Sequence, residues 1–324
     1  EGNQIRLNDI NQVLSNYEGI MELDPITPNK YEGKGFTVRI NQKSISLNHE
    51  ELRNTYLVFY DERTMSLLQY INAEGAFMIN FDQPEYVYHH KRIFKDSQLL
   101  GNLDIFYNTF QPNNKLILVT SEKGNNYTPT TQQFSSDSIF HFIESEFGPQ
   151  TTIMICDDYG TEWGDFIAID SEEIIFYHAK YAKKSLSASK LEEVFGQITK
   201  NLGYLVLNED MIETRKNRWL DTYRHKKVKT QINRIRKVPI AHHDKIYLIH
   251  EIARQANNNP YVRKKMYAVI NFLSLSELKQ SIALLQKGQK FVHRGVTLQI
   301  LWFVNAMVAN ALDQDVEFRI ICMP

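Results

Sequence analysis

An α/β fold, a mixed β sheet flanked by helices with a β-rich module ahead of it, is what this sequence predicts. Three observations carry that expectation. Residues 1–130 supply β-branched and aromatic runs separated by turn residues. Beyond them, three short strand-like runs lie between two helical segments, and further strand and helix patterns close the chain.

In the first part, 35–40, 55–60, 76–81 and 115–120 read as strands, because each is rich in Val, Ile, Phe, Tyr or Thr. Residues 124–130, with Gly124, Asn125, Asn126 and Pro129, read as a polar connector. They divide a β-rich module, 1–130, from an α/β domain, 131–324. Ser136 and Asp137 can cap a helix that runs to Phe147, where Gly148-Pro149 stops it. The runs 151–156, 165–170 and 174–181 follow as strands. A helix over 189–205 is then predicted, since Leu191, Val194, Phe195, Ile198, Leu202 and Leu205 form one apolar stripe. A helix at 246–255, a strand at 265–273 and a helix at 274–286, with Ser274 and Glu277 at capping-box spacing, come next. A buried helix at 296–312 and a strand at 317–322 end the pattern.

Composition narrows the class of function. Hydrophobic content is 43% and charged content 23%, ordinary for a globular protein. A mean hydropathy of -0.40 and polar breaks at Gln299, Asn305 and Asn310 argue against a membrane span. The start of the chain has no secretory pattern, and Cys156 and Cys322 stand alone in apolar runs. Both features predict a cytoplasmic protein. The net charge is only -1, but ten Lys or Arg face a single acid, Asp221, between residues 214 and 237. That density points to nucleic-acid contact through phosphates, with Arg224, Lys226, Lys227 and Lys229 as the proposed grip. Trp219 and Tyr223 interleave the run at i, i+4, where they either stack on bases or anchor a helix.

The chemistry concentrates between Asp157 and Lys180. Asp165 opens one strand run and Lys180 closes the next after the turn Ser171-Glu172-Glu173, so a hairpin brings a carboxylate and an ammonium to one edge. His178 and Lys180 are two apart and share a face. Phosphodiester hydrolysis needs such a group: carboxylate oxygens to hold a hard divalent cation, and a lysine to orient water or stabilise developing charge.

This arrangement resembles the PD-(D/E)XK, restriction-endonuclease-like nuclease superfamily over roughly residues 136–204. The resemblance implies a restriction-endonuclease-like core and a metal-dependent endodeoxyribonuclease using Mg²⁺ or Mn²⁺. Carried across, Asp165 would be a metal ligand and Lys180 the catalytic lysine. Glu144 or Glu146 would be the acid of the preceding helix, and Gln197 the glutamine of the following one. Where the family has Glu, Asp or Gln two residues before the lysine, this chain has His178. The site is then an HxK variant that favours Mn²⁺, or Glu162 replaces the missing acid, or the nuclease is dead. More loosely, residues 156–197 and the closing helix and strand are similar to nuclease regions attached to bacterial helicase-type defence proteins. That likeness implies a defence role, a helicase or other ATPase partner, and self-association. Gly33-Lys34-Gly35 lacks phosphate-loop spacing, so a motor would lie elsewhere. His89-His90 and His242-His243 lack a Cys or acid at ligand spacing. The competing expectation is a non-catalytic nucleic-acid-binding or assembly subunit with a degenerate core.

Overall fold

The structure, a computed structural model, describes residues 3–6, 23–101, 103–239 and 244–324, so the pair His242-His243 lies outside the described residues. The chain is α/β and divides into two compact units. Unit 1 comprises residues 1–102 and 294–299; unit 2 comprises 103–293 and 300–324. The division falls at 102/103 rather than near residue 130, because residues just after it join the large sheet of unit 2.

Unit 1 is β-rich. Its strands are β1 (Asn3–Arg6), β2 (Asp24–Thr27), β3 (Lys30–Gly33), β4 (Phe36–Ile40), β5 (Ile45–Asn48), β6 (Thr55–Val58), β7 (Thr64–Ser66), β8 (Met78–Asn80), β9 (Tyr86–His89) and β10 (Arg92–Lys95). They form a four-stranded antiparallel sheet, β2-β3-β4-β5, and two three-stranded sheets, β1-β6-β7 and β8-β9-β10. Two helices, α1 (Glu50–Asn54) and α2 (Leu67–Glu74), supply Leu52, Leu67, Leu68 and Ile71 to a small core with Phe36 and Leu57. A reciprocal capping box between Ser66 and Gln69 starts α2, and Gly75, at φ 67°, ends it in the left-handed region.

Unit 2 holds α3 (Leu103–Asn108), β11 (Phe110–Pro112), α4 (Ile139–Phe147), β12 (Ile153–Cys156), β13 (Phe166–Ile169), β14 (Glu173–Lys180), α5 (Ala188–Asn201), α6 (Glu209–Leu220), β15 (Thr222–His225), β16 (Val228–Asn233) and β17 (Ile235–Lys237). It continues through α7 (Lys245–Asn258), β18 (Arg263–Ser274), α8 (Leu275–Gln286), α9 (Arg294–Leu312) and β19 (Val316–Met323). The helix α9 begins within unit 1. Seven strands make one sheet in the order β11-β19-β18-β14-β13-β12-β17. The segments β12-β13-β14 form an antiparallel meander, while β14, β18, β19 and β11 run parallel.

Alternation assigns the faces. Met154, Cys156, Phe166, Ala168, Ile175, Tyr177 and Ala179 join one core with Ile139, Phe140 and Ile143 of α4. Phe176, His178 and Lys180 therefore point to the opposite face. There α5 packs on β14 and β18 and buries Leu191, Val194, Phe195 and Ile198. Each such side chain contributes about 1.5–3 kcal/mol of burial free energy, an upper estimate.

Two expectations are corrected. Residues 115–120 are not a strand: Asn114–Leu118 is a 3-10 helix, opened by the Asn113 side chain accepting from Lys115 N. The basic stretch 214–237, expected as an insertion in the α/β domain, belongs to its sheet, since its last residues form β17 beside β12. The helix expected at 296–312 is α9, which is long and apolar enough by composition to cross a membrane. Within unit 2 it buries Ile300, Leu301, Val304, Met307 and Ala311, as a core helix does.

Candidate active site

The polar centre of unit 2 lies where β12 ends, β13 begins and β14 ends. Gly164 allows the chain to enter β13 closely: a Cβ there would stand 3.1 Å from Phe166 O and 3.2 Å from Phe176 Cβ. The next residue, Asp165, is buried and its Oδ2 accepts from Ala179 N at 2.7 Å. Burial raises its pKa well above the usual carboxylate range, and the neighbouring charge of Asp158 pushes it further; Lys123 pulls the other way.

Lys123 is the lysine this carboxylate feels. Its Nζ lies 2.9 Å from Asp158 Oδ1 and 3.7 Å from Glu122 Oε1. Burial lowers its proton affinity, but Asp158 and Asp165 more than offset that, so it remains cationic. Local structure fixes the pair: Ser121 O and Glu122 O accept from the first N–H groups of α4, Ile139 N and Phe140 N, at 3.0 Å each. Glu122 Oε2 accepts from Tyr181 N at 3.2 Å. Asp158 also accepts from the Tyr223 hydroxyl at 3.0 Å, at the base of the β15-β16 hairpin. Three carboxylates and one ammonium thus converge from separated parts of the chain.

Compared with known proteins, this chain matches no family model, no curated protein and no solved structure.

The residues singled out by sequence fare differently. Asp165 stands at the head of β13 as expected. Lys180 closes β14, but its ammonium is ion-paired with Glu193 of α5. His178 is buried, and desolvation lowers its pKa to about 3, so it is neutral; its Nε2 has no hydrogen-bond partner among the described residues. Glu162 likewise has a buried Oε2 without a hydrogen-bond partner among the described residues. Gln197 does not reach the site: it is exposed on α5, outside the buried stripe, and Glu193 is the residue of that helix that meets Lys180. Glu146 is held by Lys115 at 2.6 Å and Glu144 by Arg236 at 2.7 Å, so the acids of α4 serve ion pairs elsewhere.

Asp158, Glu122 and Lys123 are not among the site residues that the sequence pattern points to, and Asp157 serves the fold. Asp157 is buried and accepts from Trp219 Nε1 at 2.8 Å and Trp163 N at 3.0 Å, with Arg215 at 3.6 Å. Trp219 and Tyr223 are therefore anchors rather than stacking platforms. The doublet Asp157-Asp158 directly after an apolar strand was the available signal; nothing in the sequence marked Glu122-Lys123.

The cations of 214–237 sort by role. Arg215 and Arg234 are buried, the latter donating to Cys156 O and Asp158 O at 3.2 and 2.9 Å. Arg236 pairs with Glu144, and Lys237 donates to Gly148 O and Pro149 O. Arg224 and Lys229 share Asp221 at 3.7 and 2.8 Å. Lys226 and Lys227, at the exposed hairpin tip, have no ion-pair partner among the described residues.

A divalent cation suits this centre in charge and in donor type. Carboxylate oxygens are hard ligands, and a cation bound there would offset both the burial that chiefly raises the proton affinity of Asp165 and the added repulsion from Asp158. The side chains do not form a finished cage: among the described residues no three His, Cys, Asp or Glu are gathered closely enough to hold a metal ion.

Proposed function

We propose that unit 2 is a metal-dependent nuclease of the restriction-endonuclease-like kind, hydrolysing DNA phosphodiester bonds at the Asp165 end of its sheet. The observation that carries this reading is Asp165 itself: a buried carboxylate of raised pKa, at the head of the middle strand of an α4-β12-β13-β14-α5 arrangement. That order of elements is the one the resemblance implies. Asp165, with Asp158 or Glu122, would supply oxygen ligands to Mg²⁺ or Mn²⁺, which when bound polarises the phosphoryl group and acidifies water. Lys123 holds positive charge beside Asp158 and is placed to balance charge that develops on phosphate oxygen. His178, which burial keeps neutral and makes a poor base, would serve only as a nitrogen ligand to a softer ion. Neither Lys180 nor Gln197 is assigned a part while the first is tied to Glu193 and the second faces solvent. A bacterial defence role beside a helicase-type partner is proposed on the resemblance alone.

The test is incubation of the purified chain with plasmid, single-stranded DNA and RNA, each with Mg²⁺, Mn²⁺ or EDTA. Cleavage of DNA that needs the metal is expected. Intact substrates in every arm would remove the reading.

Two observations favour a second reading, a degenerate core that binds without cutting: Lys180 is occupied by Glu193, and no complete metal cage is assembled among the described residues. Retention of DNA on the protein without cleavage in either metal is its signature.

Phosphate contact is assigned to the hairpin β15-β16, whose Tyr223 bonds Asp158 and whose tip exposes Lys226 and Lys227. Replacing both with Gln is expected to lower affinity similarly for unrelated sequences. The slope of log affinity against log salt should flatten by about 0.9 for each duplex phosphate that is no longer neutralised. Filter binding across salt concentrations checks this; an unchanged slope would show that the tip is only solvated.

A further inference from the structure

The outer face of the four-stranded sheet in unit 1 carries like charges set directly against each other. The register places Lys30 opposite Arg39 and Arg39 opposite Ser46, with Thr27 opposite Lys30 and Thr37 opposite Asn48. Residues two apart in a strand share a face, so Phe36 and Val38 turn to the core while Thr37 and Arg39 turn outward. These outward side chains, with Asn29, line an open recess of about 550 Å³. No acid, aromatic or large apolar side chain lines it. Glu32 shares the face beyond Lys30, opposite Thr37, but lies outside the recess. Lys30 and Arg39 are exposed, and neither pairs with a carboxylate among the described residues.

Like charges directly opposite in a sheet repel and destabilise it. An anion seated between them reverses the sign of that interaction. We propose that this recess is a nucleic-acid contact in its own right, gripping the phosphodiester backbone of a single strand. Arg39 offers a planar fork to two phosphate oxygens and Lys30 a point charge. The hydroxyls of Thr27, Thr37 and Ser46 and the amide of Asn29 supply donors for phosphate and sugar oxygens. Small-molecule sites are mostly apolar, and base stacking needs aromatic planes. A recess with neither reads the backbone and is indifferent to sequence. This inference does not depend on whether Asp165 cleaves.

The test uses the full chain carrying Lys30→Gln and Arg39→Gln together, with a labelled single-stranded oligonucleotide as probe. Anisotropy titrations at several salt concentrations are compared with wild type, beside melting curves. Affinity is expected to fall about tenfold, and the salt slope by about 1.4, near 0.7 for each of two phosphates released. The melting temperature is expected to hold or rise, since a repulsive pair has been removed. The same fall in affinity should appear in a chain that already carries Lys226→Gln and Lys227→Gln, which separates this recess from the hairpin. Unchanged affinity and slope would overturn the proposal. So would displacement of the oligonucleotide from wild type by ATP or pyrophosphate at equal phosphate concentration, which would mark a site for a small phosphate compound.

Discussion

Asp165→Asn is expected to leave the fold at least as stable as wild type while slowing DNA cleavage by about a thousandfold or more. The amide keeps an oxygen that can accept from Ala179 N, so the β13-β14 junction is retained. It removes a charge that burial and Asp158 both disfavour. The pH dependence follows the same sign. A carboxyl whose folded pKa lies above its unfolded value supports the fold at low pH, and that support is lost as pH rises through the folded pKa. The Asn variant lacks this loss, so its advantage in melting temperature should grow between acid and neutral pH. A residue that serves only the fold would not give gain of stability together with loss of rate. If the variant cleaves at wild-type rates, Asp165 is not the centre of the reaction.

The second large effect is structural. Asp157→Ala should cost roughly 3–5 kcal/mol, because it leaves the buried guanidinium of Arg215 without its carboxylate. The Trp219 indole N–H and the Trp163 backbone N–H also lose their acceptor. For a unit of this size that corresponds to a fall in melting temperature on the order of 10 °C. Asp157→Asn keeps an acceptor for only one of these two N–H groups, because its amide nitrogen donates, and should fall between wild type and the Ala variant. Thermal unfolding followed by tryptophan fluorescence reads the change directly, since two of the affected groups are tryptophans. A shift within a degree or two would show that Arg215 finds compensation elsewhere.

Much of the sheet was legible because its signals are local. The run 174–181 became β14, and the stripe from Leu191 to Ile198 became the buried side of α5. Ser274 and Glu277 announced the start of α8, where Ser274 Oγ accepts from Glu277 N. Strands β15 to β17 escaped because a dense run of cations hides their alternation: Tyr223, Thr230 and Ile232 are buried between exposed Arg224, Lys229 and Gln231. Asp165 and Lys180 stand at the strand ends where the sequence pattern puts them. Glu122-Lys123, Asp158, Asp165 and Tyr223 are far apart in the chain and meet only through packing. Gln197 lies on the expected helix, but Glu193, on the same flank and one turn nearer its start, is the residue that meets Lys180. Spacing puts both on one flank of the stripe but does not tell which turn of that flank reaches the end of the sheet, and here it is the turn holding Glu193.

The edge of the sheet that pairs β11 with β19 has a consequence for how unit 2 is made. Phe110 lies beside Ile320, and β18 has β19 as its neighbour on the side away from β14. On the ribosome, the meander β12-β13-β14 emerges long before Val316–Met323 exists. At about 5–20 residues per second, roughly seven to thirty seconds separate Lys180 from the last strand. Through that interval β11 waits unpaired, and one side of the long apolar β18 joins it once Ser274 is made, an exposed edge of the kind that recruits other chains. Nascent chains stalled before Val316 should therefore engage chaperones, and folding of the unit should be completed by its final strand rather than by the strands that bear Asp165.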